Sequence, residues 1–195
     1  MNWSLLNIVQ NFNNLRYSVG IAMMFNGFPL IFFIRDTLRI GPASSVFTAA
    51  FFLLATEPSA TDYAKLDGLH TFYKPAGTAE IEKQVLSFLT KHSVDMNDID
   101  LVITGRTGNA GTDRIYDELT ATIFKNKILL DYKNLCGEYP TAAAFAMWLG
   151  ANIIKSGTVP AVLNCSDTAG KKIVRILIYN QHQGIHHSLS LLSAC

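Results

Sequence analysis

An ammonium and a carboxylate lie five residues apart in the segment KNLCGE, just before a run that is rich in alanine. Lys133 closes an apolar stretch, and Glu138 stands at the entrance of a helix predicted over 140–157. A carboxylate is stabilised at the positive end of a helix. A lysine at a strand end can extend to solvent, but the crevice end of an α/β sheet favours a site residue. Between the two, Cys136 could form a thiolate, although burial as a small apolar side chain is the simpler role.

A glycine-rich loop, GRTGNAG (105–111), follows a predicted strand and precedes a predicted helix. Such loops can hold phosphate groups at a helix N-terminus. This one matches neither the dinucleotide nor the P-loop pattern, and no acidic residue stands at the distance that a ribose contact needs. A turn whose glycines adopt positive φ is the simpler interpretation, and a nucleotide- or phosphate-binding α/β domain stays as an alternative.

Three histidines, His182, His186 and His187, are spaced as HxxxHH. On a helix this spacing could bind zinc, which takes a full set of four ligands in structural sites. Gly184 and the alternating pattern after it predict strands instead of a helix, and no carboxylate is close in sequence. We therefore expect no metal site and no cofactor.

Composition excludes several classes of protein. Hydrophobic residues make up 49% and charged residues 16% of the 195, with a net charge of +1, so there is no basic surface that would favour nucleic acid. The three cysteines, Cys136, Cys165 and Cys195, are odd in number and lack paired spacing. This argues against a disulfide framework and favours the cytoplasm. The N-terminus lacks the features of a signal peptide.

The first 45 residues differ from the rest because they contain neither lysine nor glutamate. Their apolar stretch 19–34 is shorter than the roughly 20 residues of a membrane-spanning helix, and Pro29 interrupts it. We interpret it as a buried strand or hairpin and expect no membrane contact. The Gly/Pro/Ser-rich segment 41–45 predicts a boundary between an unassigned apolar segment, 1–45, and one domain, 46–195.

Periodicity downstream predicts alternating strands and helices. Predicted strands cover 46–56, 63–73, 98–105, 127–132, 172–180 and 187–193, and the first is expected to pair with the second. Predicted helices cover 78–92 with Thr78 as N-cap, 112–124, and 140–157 with Gly157 as its stop. Their inward residues are predicted to be Ile81, Val85, Phe88 and Leu89; Ile115, Leu119 and Ile123; and Ala142, Phe145, Leu149 and Ile153. The order β-β-α-β-α-β-α-β-β indicates an α/β fold with helices on the faces of a mixed sheet.

Three stretches resemble the C-terminal half of the β-ketoacyl-acyl carrier protein synthases, the condensing enzymes with a thiolase-like fold. They are LVITGRTGNAGTDRIYDEL, YKNLCGEYPTAAAFAMWLGANIIKSGTVP and ILIYNQHQGIHHSLSLL. The similarity covers about residues 46–195 and implies a thiolase-like half-domain, although the family's Gly-Glu-Gly before the strand at 46–56 is missing. The first 45 residues do not match.

The resemblance implies where the reactive groups of the family would stand. In the family, a cysteine of the other half takes the acyl chain, and two histidines polarise the malonyl thioester as carbon dioxide leaves. Aligned on Asp113, Gly105 stands at the first histidine position. In KNLCGE, Lys133 matches the lysine that supports the second histidine, and Glu138 replaces that histidine.

The family's loop threonines, which face the pantetheine arm, correspond to Thr107 and Asn109, so these are the implied substrate-binding residues. Lys133 and Glu138 are the implied catalytic positions. An ionised glutamate would repel the oxyanion that a histidine N–H stabilises, and the neighbouring lysine favours the ionised form.

We therefore expect that the chain does not condense acyl groups alone. It is predicted to be a chain-length-factor-like partner, or a truncated synthase, of fatty acid or polyketide biosynthesis. The implied partners are acyl carrier protein, with its phosphopantetheine-bound substrate, and a complementary ketosynthase subunit. An active acyltransferase with altered chemistry at Lys133 and Glu138 stays as an alternative.

Overall fold

The computed structural model describes residues 50, 52, 54–57, 59–139, 141–160, 163 and 171–195. It also gives the backbone of four two-residue strands. Met24–Phe25 pairs with Phe28–Pro29, and Thr37–Leu38 pairs with Ser45–Val46, both antiparallel. Apart from the backbone of the pair Met24–Phe25 and Phe28–Pro29, the apolar stretch 19–34 lies outside the described residues, as does Cys165. Within the described part of the chain, no helix has the length and apolar character that a membrane crossing requires.

Five of the six predicted strands form one mixed sheet. They are β1 (Lys65–Tyr73), β2 (Leu101–Thr104), β3 (Ile128–Asp131), β4 (Arg175–His182) and β5 (His186–Ser193). The order across the sheet is β1-β5-β4-β2-β3. Strands β3, β2 and β4 are parallel to one another, whereas β5 runs antiparallel to both β4 and β1.

Helices cover both faces of this sheet because its central strands are apolar on both sides. The helices are α1 (Thr78–Lys91), α2 (Ala110–Ala121), α3 (Lys133–Cys136) and α4 (Ala142–Ser156). Helices α1 and α2 pack on the face that carries Val102, and α4 packs on the face that carries Leu101 and Ile103. The alternation follows from the two-residue period of a strand. The predicted α/β class is confirmed.

The predicted helix faces are confirmed most closely in α1. Its buried residues are Ile81, Val85, Phe88 and Leu89, as predicted. Thr78 is not the N-cap, however: it is the first helical residue, preceded by Gly77 without a capping side chain. The Thr78 hydroxyl donates instead to Glu118 of α2. The Thr78 side chain thus links α1 to α2 and does not cap α1.

Helix α2 begins two residues earlier than predicted because Asn109 caps it. Its buried face consists of Asp113, Tyr116 and Leu119, whereas Ile115 and Ile123 are only half-buried. Helix α4 ends at Gly157, as predicted, in the left-handed conformation with φ 69°. It lies close to the sheet, since a Cβ at Gly150 would be 2.9 Å from Leu192 Cδ1.

The prediction of a buried strand over 46–56 is wrong for the residues that are described from position 50 on. Positions 50, 52 and 54–56 form no strand, and Leu54 is 75% exposed. Strand β1 pairs with β5 and not with this segment. The reason is that a tight hairpin joins β5 to β4, which leaves the other edge of β5 free to pair with β1. Strand β5 also carries the buried residues Leu189 and Leu191. The predicted boundary at 41–45 stays a prediction.

Candidate functional site

The parallel strands β2, β3 and β4 end at the same edge of the sheet, where α/β proteins commonly bind ligands. Their last residues are Thr104, Asp131 and His182. The Thr104 hydroxyl donates to the Asp131 carboxylate, which joins two of these ends. We call this edge the crevice and define it by five residues that stand at or just beyond it: Gly105, Lys133, Glu138, Asn180 and His182.

Lys133 and Glu138 meet in the crevice as an ion pair. The ammonium contacts Glu138 Oε2, and the lysine side chain is 3% exposed while that of Glu138 is 40% exposed. Burying an ammonium without a partner would be costly, so the pair explains how Lys133 is accommodated. The structure therefore brings together the two residues that the sequence singles out, and their catalytic role stays a prediction.

The second oxygen of the same carboxylate faces a histidine that sequence reasoning missed as a site residue. His182 Nδ1 lies 3.4 Å from Glu138 Oε1, and the His182 side chain is 49% exposed. Glu138 therefore bridges a buried ammonium and a half-exposed imidazole. The missed signal was the position of His182, two residues after Asn180 at the end of the predicted strand, which lies at the same sheet edge as Lys133.

The HxxxHH histidines diverge because they belong to a β-hairpin. His182 pairs with His186 across the strands, and the His186 ring lies 5.1 Å from that of Tyr73. His187 is buried, with Nδ1 2.9 Å from Tyr179 Oη, and burial lowers its pKa. Among the described residues, no group of three histidine, cysteine or carboxylate side chains could hold a metal ion.

Gly105 lies where its neighbours leave no room for a side chain. A Cβ there would be 2.8 Å from Tyr116 Oη and closer still to Asn180 Oδ1. Both groups are fixed: the Tyr132 hydroxyl donates to Asn180 Oδ1 at 3.0 Å, and the backbone N–H of Gln181 donates to Tyr116 Oη at 3.1 Å. The position that the resemblance assigns to a histidine is thus filled by a hydrogen-bonded network.

The buried phenols and the thiol of this region are held in their protonated forms. Burial raises the pKa of Tyr116 and of Tyr132 far above the ordinary value, and the charge of Glu138 adds to both effects. Burial likewise raises the pKa of the Cys136 thiol to about 11. Cys136 is fully buried in the core under α4. At neutral pH these three groups are therefore neither bases nor nucleophiles.

Thr107 and Asn109, the predicted substrate-binding residues, both take part in the structure of their loop. The Asp113 carboxylate accepts the backbone N–H groups of Thr107, at 3.0 Å, and Gly108, at 2.8 Å. The Asn109 side chain caps α2 by accepting the N–H of Gly111 at 2.9 Å. Their contact with a substrate stays a prediction.

The same geometry disfavours the phosphate-binding alternative. In a phosphate loop, free backbone N–H groups bind the anion. Here the buried carboxylate of Asp113 already occupies the N–H groups of Thr107 and Gly108. Gly108 adopts φ 84°, as expected for a glycine-dependent turn.

No protein-family model matches this sequence, and no curated protein is similar to it in sequence. Solved structures do match the described fold. The ishigamide ketosynthase/chain length factor superposes with a TM-score of 0.57 at 13% identity, over 68% of this chain and 38% of that one. A β-ketoacyl synthase from Burkholderia phymatum gives a TM-score of 0.55 at 16% identity, over 70% of this chain and 38% of that one.

A third similar structure is a ketosynthase, bound to a hexaketide, in complex with its type II polyketide synthase acyl carrier protein. It gives a TM-score of 0.53 at 11% identity, over 68% of this chain and 39% of that one. The chain thus spans about two fifths of the length of each of these proteins. The likeness shows that the described part of the chain has the thiolase-like fold of part of a ketosynthase, as predicted.

Proposed function

We propose that this chain is a ketosynthase-like subunit of fatty acid or polyketide biosynthesis that does not form carbon–carbon bonds alone. It acts in the cytoplasm with acyl carrier protein and with a complementary ketosynthase subunit that supplies the cysteine. Residues 46–195 form its thiolase-like half-domain, and 1–45 precede it as a separate segment. A chain-length-factor-like role fits this description better than that of a self-sufficient synthase.

The observation that carries the proposal is the filled space beside Gly105. A condensing site of the family's kind would need an imidazole N–H here, aimed at the thioester oxygen. Instead the volume next to Gly105 Cα holds Asn180 Oδ1, which is itself bonded to Tyr132. A histidine could enter only if this network moved.

The pairing of Glu138 supports the same conclusion. The Glu138 carboxylate contacts the ammonium of Lys133 with one oxygen and faces the imidazole of His182 with the other. An ionised carboxylate accepts hydrogen bonds and cannot donate one. It therefore cannot stabilise the oxyanion that forms during condensation, as a histidine would.

The partner proposal also draws on the solved structures that share this fold. The chain spans about two fifths of the ketosynthases that it resembles in fold. One of these is described as a ketosynthase/chain length factor, and another was captured with its acyl carrier protein.

The test is a reconstitution with a type II ketosynthase supplied without its own partner, together with acyl carrier protein and malonyl-loaded carrier. We expect that adding the full chain changes the length distribution of the products seen by mass spectrometry. A Gly105→Trp variant, which disrupts the crevice, serves as the control. Products that are the same with and without the chain, for every ketosynthase tried, would refute the partner role.

A further inference from the structure

We propose that Glu138 and His182 form a general-base pair that activates water to hydrolyse an acyl thioester in the crevice. The inference rests on the proposed function for its substrate class, since that function brings pantetheine thioesters to this site. His182 is the catalytic residue, because its ring would contact the water. Glu138 and Lys133 are positioning residues that act through it.

The first support is the orientation of the imidazole. Glu138 Oε1 lies 3.4 Å from Nδ1 of His182, so the proton of the neutral ring is favoured on Nδ1. The free electron pair is then on Nε2, and no described residue bonds to that atom. The side chain is 49% exposed, which gives water access to it. A carboxylate that fixes the tautomer and stabilises the imidazolium is the arrangement by which histidine bases work.

The second support is the way in which the carboxylate is fixed. Lys133 is 3% exposed and holds Oε2, the oxygen that does not face His182. Because the two oxygens have separate partners, a rotation of Glu138 away from the histidine would also disturb its contact with the buried ammonium. An ordinary surface Glu–His contact has no such constraint. The relay from Lys133 through Glu138 to His182 therefore supplies a preorganised base.

A water nucleophile follows from what surrounds the pair. The thiol of Cys136 is buried and stays protonated, since its pKa is about 11. The phenols of Tyr116 and Tyr132 are likewise protonated. A base without a neighbouring nucleophile can still activate water, and the exposed imidazole is the group that water reaches.

The reaction balances without any further reactant. His182 Nε2 takes a proton from water as the water oxygen bonds to the thioester carbonyl carbon. The tetrahedral intermediate then collapses, the C–S bond breaks, and the proton passes from His182 to the departing thiolate. The products are a carboxylic acid and a thiol, with the imidazole restored to its neutral form.

The experiment measures thiol release from octanoyl-N-acetylcysteamine by the full chain, with buffer as the blank. We expect a rate above the blank that rises with pH, because the base must be the neutral imidazole. His182→Gln should lower kcat by at least about 100-fold, the usual contribution of a general base. His186→Gln, which alters the facing residue of the same hairpin, should keep the full rate.

Glu138→Gln tests the positioning role and should lower kcat while flattening the dependence on pH. If that variant fails to fold, His182→Gln alone decides, because its side chain is half-exposed. A rate equal to the blank, or a His182→Gln variant as active as the unaltered chain, would overturn the inference. The assay uses the chain alone, so a negative reconstitution overturns only the partner role, and a negative hydrolysis assay overturns only this inference.

Discussion

Removing the carboxylate of Glu138 tests whether the ion pair of the crevice stabilises the fold. In Glu138→Gln the buried ammonium of Lys133 loses its counter-charge, although the amide oxygen can still accept a hydrogen bond. A fully buried pair that loses one partner costs about 3–5 kcal/mol, and an exposed pair costs about 0–1 kcal/mol. With the lysine side chain 3% and the glutamate side chain 40% exposed, we expect a loss of about 2 kcal/mol.

The assay is urea unfolding followed by far-UV circular dichroism at neutral pH, with a thermal scan beside it. A loss of this size corresponds to a drop in Tm of about 4–8 °C for a chain of this length. Arg114→Gln is the matched control, since Arg114 pairs with Glu118 at 2.7 Å but is 80% exposed. That variant should lose no more than about 0.5 kcal/mol.

A double variant, Lys133→Met with Glu138→Gln, separates the ion pair from other effects. Replacing both partners removes the unpaired charge, so the double variant should be more stable than Glu138→Gln alone. If Glu138→Gln unfolds within about 0.5 kcal/mol of the unaltered chain, as an exposed pair would, then Lys133 has another partner or reaches solvent. The structural account of the crevice would then be wrong.

Three further variants test the packing and the titration that the structure shows. Gly105→Ala should lose about 1–3 kcal/mol of unfolding free energy, the usual cost of over-packing. Gly77→Ala is the control, because an added Cβ there meets nothing within 4 Å, and its unfolding free energy should change little. Equal losses in the two variants would contradict the crowding at Gly105. Gly150→Val should also lose about 1–3 kcal/mol of unfolding free energy, because the new side chain would meet Leu192. An unchanged urea midpoint would show that α4 lies farther from the sheet. Burial lowers the pKa of His187, so the unfolded chain takes up a proton at this residue before the folded chain does. The unfolding free energy should therefore fall as the pH drops below about 6.5. The same decline in a His187→Phe variant would show that another residue causes it.

The parts of the fold that sequence reasoning predicted correctly depend on local patterns. The stripe of Ile81, Val85, Phe88 and Leu89 follows the 3.6-residue period, and these residues are buried together in α1. Gly157 ends α4 because it adopts a left-handed conformation that few other residues accept. Such signals lie within one turn or one helix, so the sequence alone specifies them.

The errors concern contacts between distant parts of the chain. Residues 46–56 and 63–73 are neighbours in sequence and were both predicted to be strands, yet β1 pairs with β5, more than 100 residues further on. An apolar run predicts burial but does not identify its partner strand. The residues described at 50, 52 and 54–56 are not in the sheet.

In the candidate site too, local contacts were predictable from the sequence and long-range contacts were not. The meeting of Lys133 with Glu138 was predictable because only four residues separate them in the chain. The contact of Asn180 with Gly105, and that of His182 with Glu138, join residues 75 and 44 positions apart. Only the parallel arrangement of β2, β3 and β4 brings these residues to one edge, and that arrangement is a property of the whole sheet.

The most direct test of the central claim is a condensation assay with the purified full chain as the only candidate enzyme. Octanoyl and malonyl groups loaded on acyl carrier protein are the substrates, and mass spectrometry detects the β-ketoacyl product. Because Asn180 fills the space beside Gly105 and Glu138 is paired on both oxygens, we predict no product above a reaction without the chain. A β-ketoacyl product that accumulates with the unaltered chain and disappears with Glu138→Gln would contradict this account.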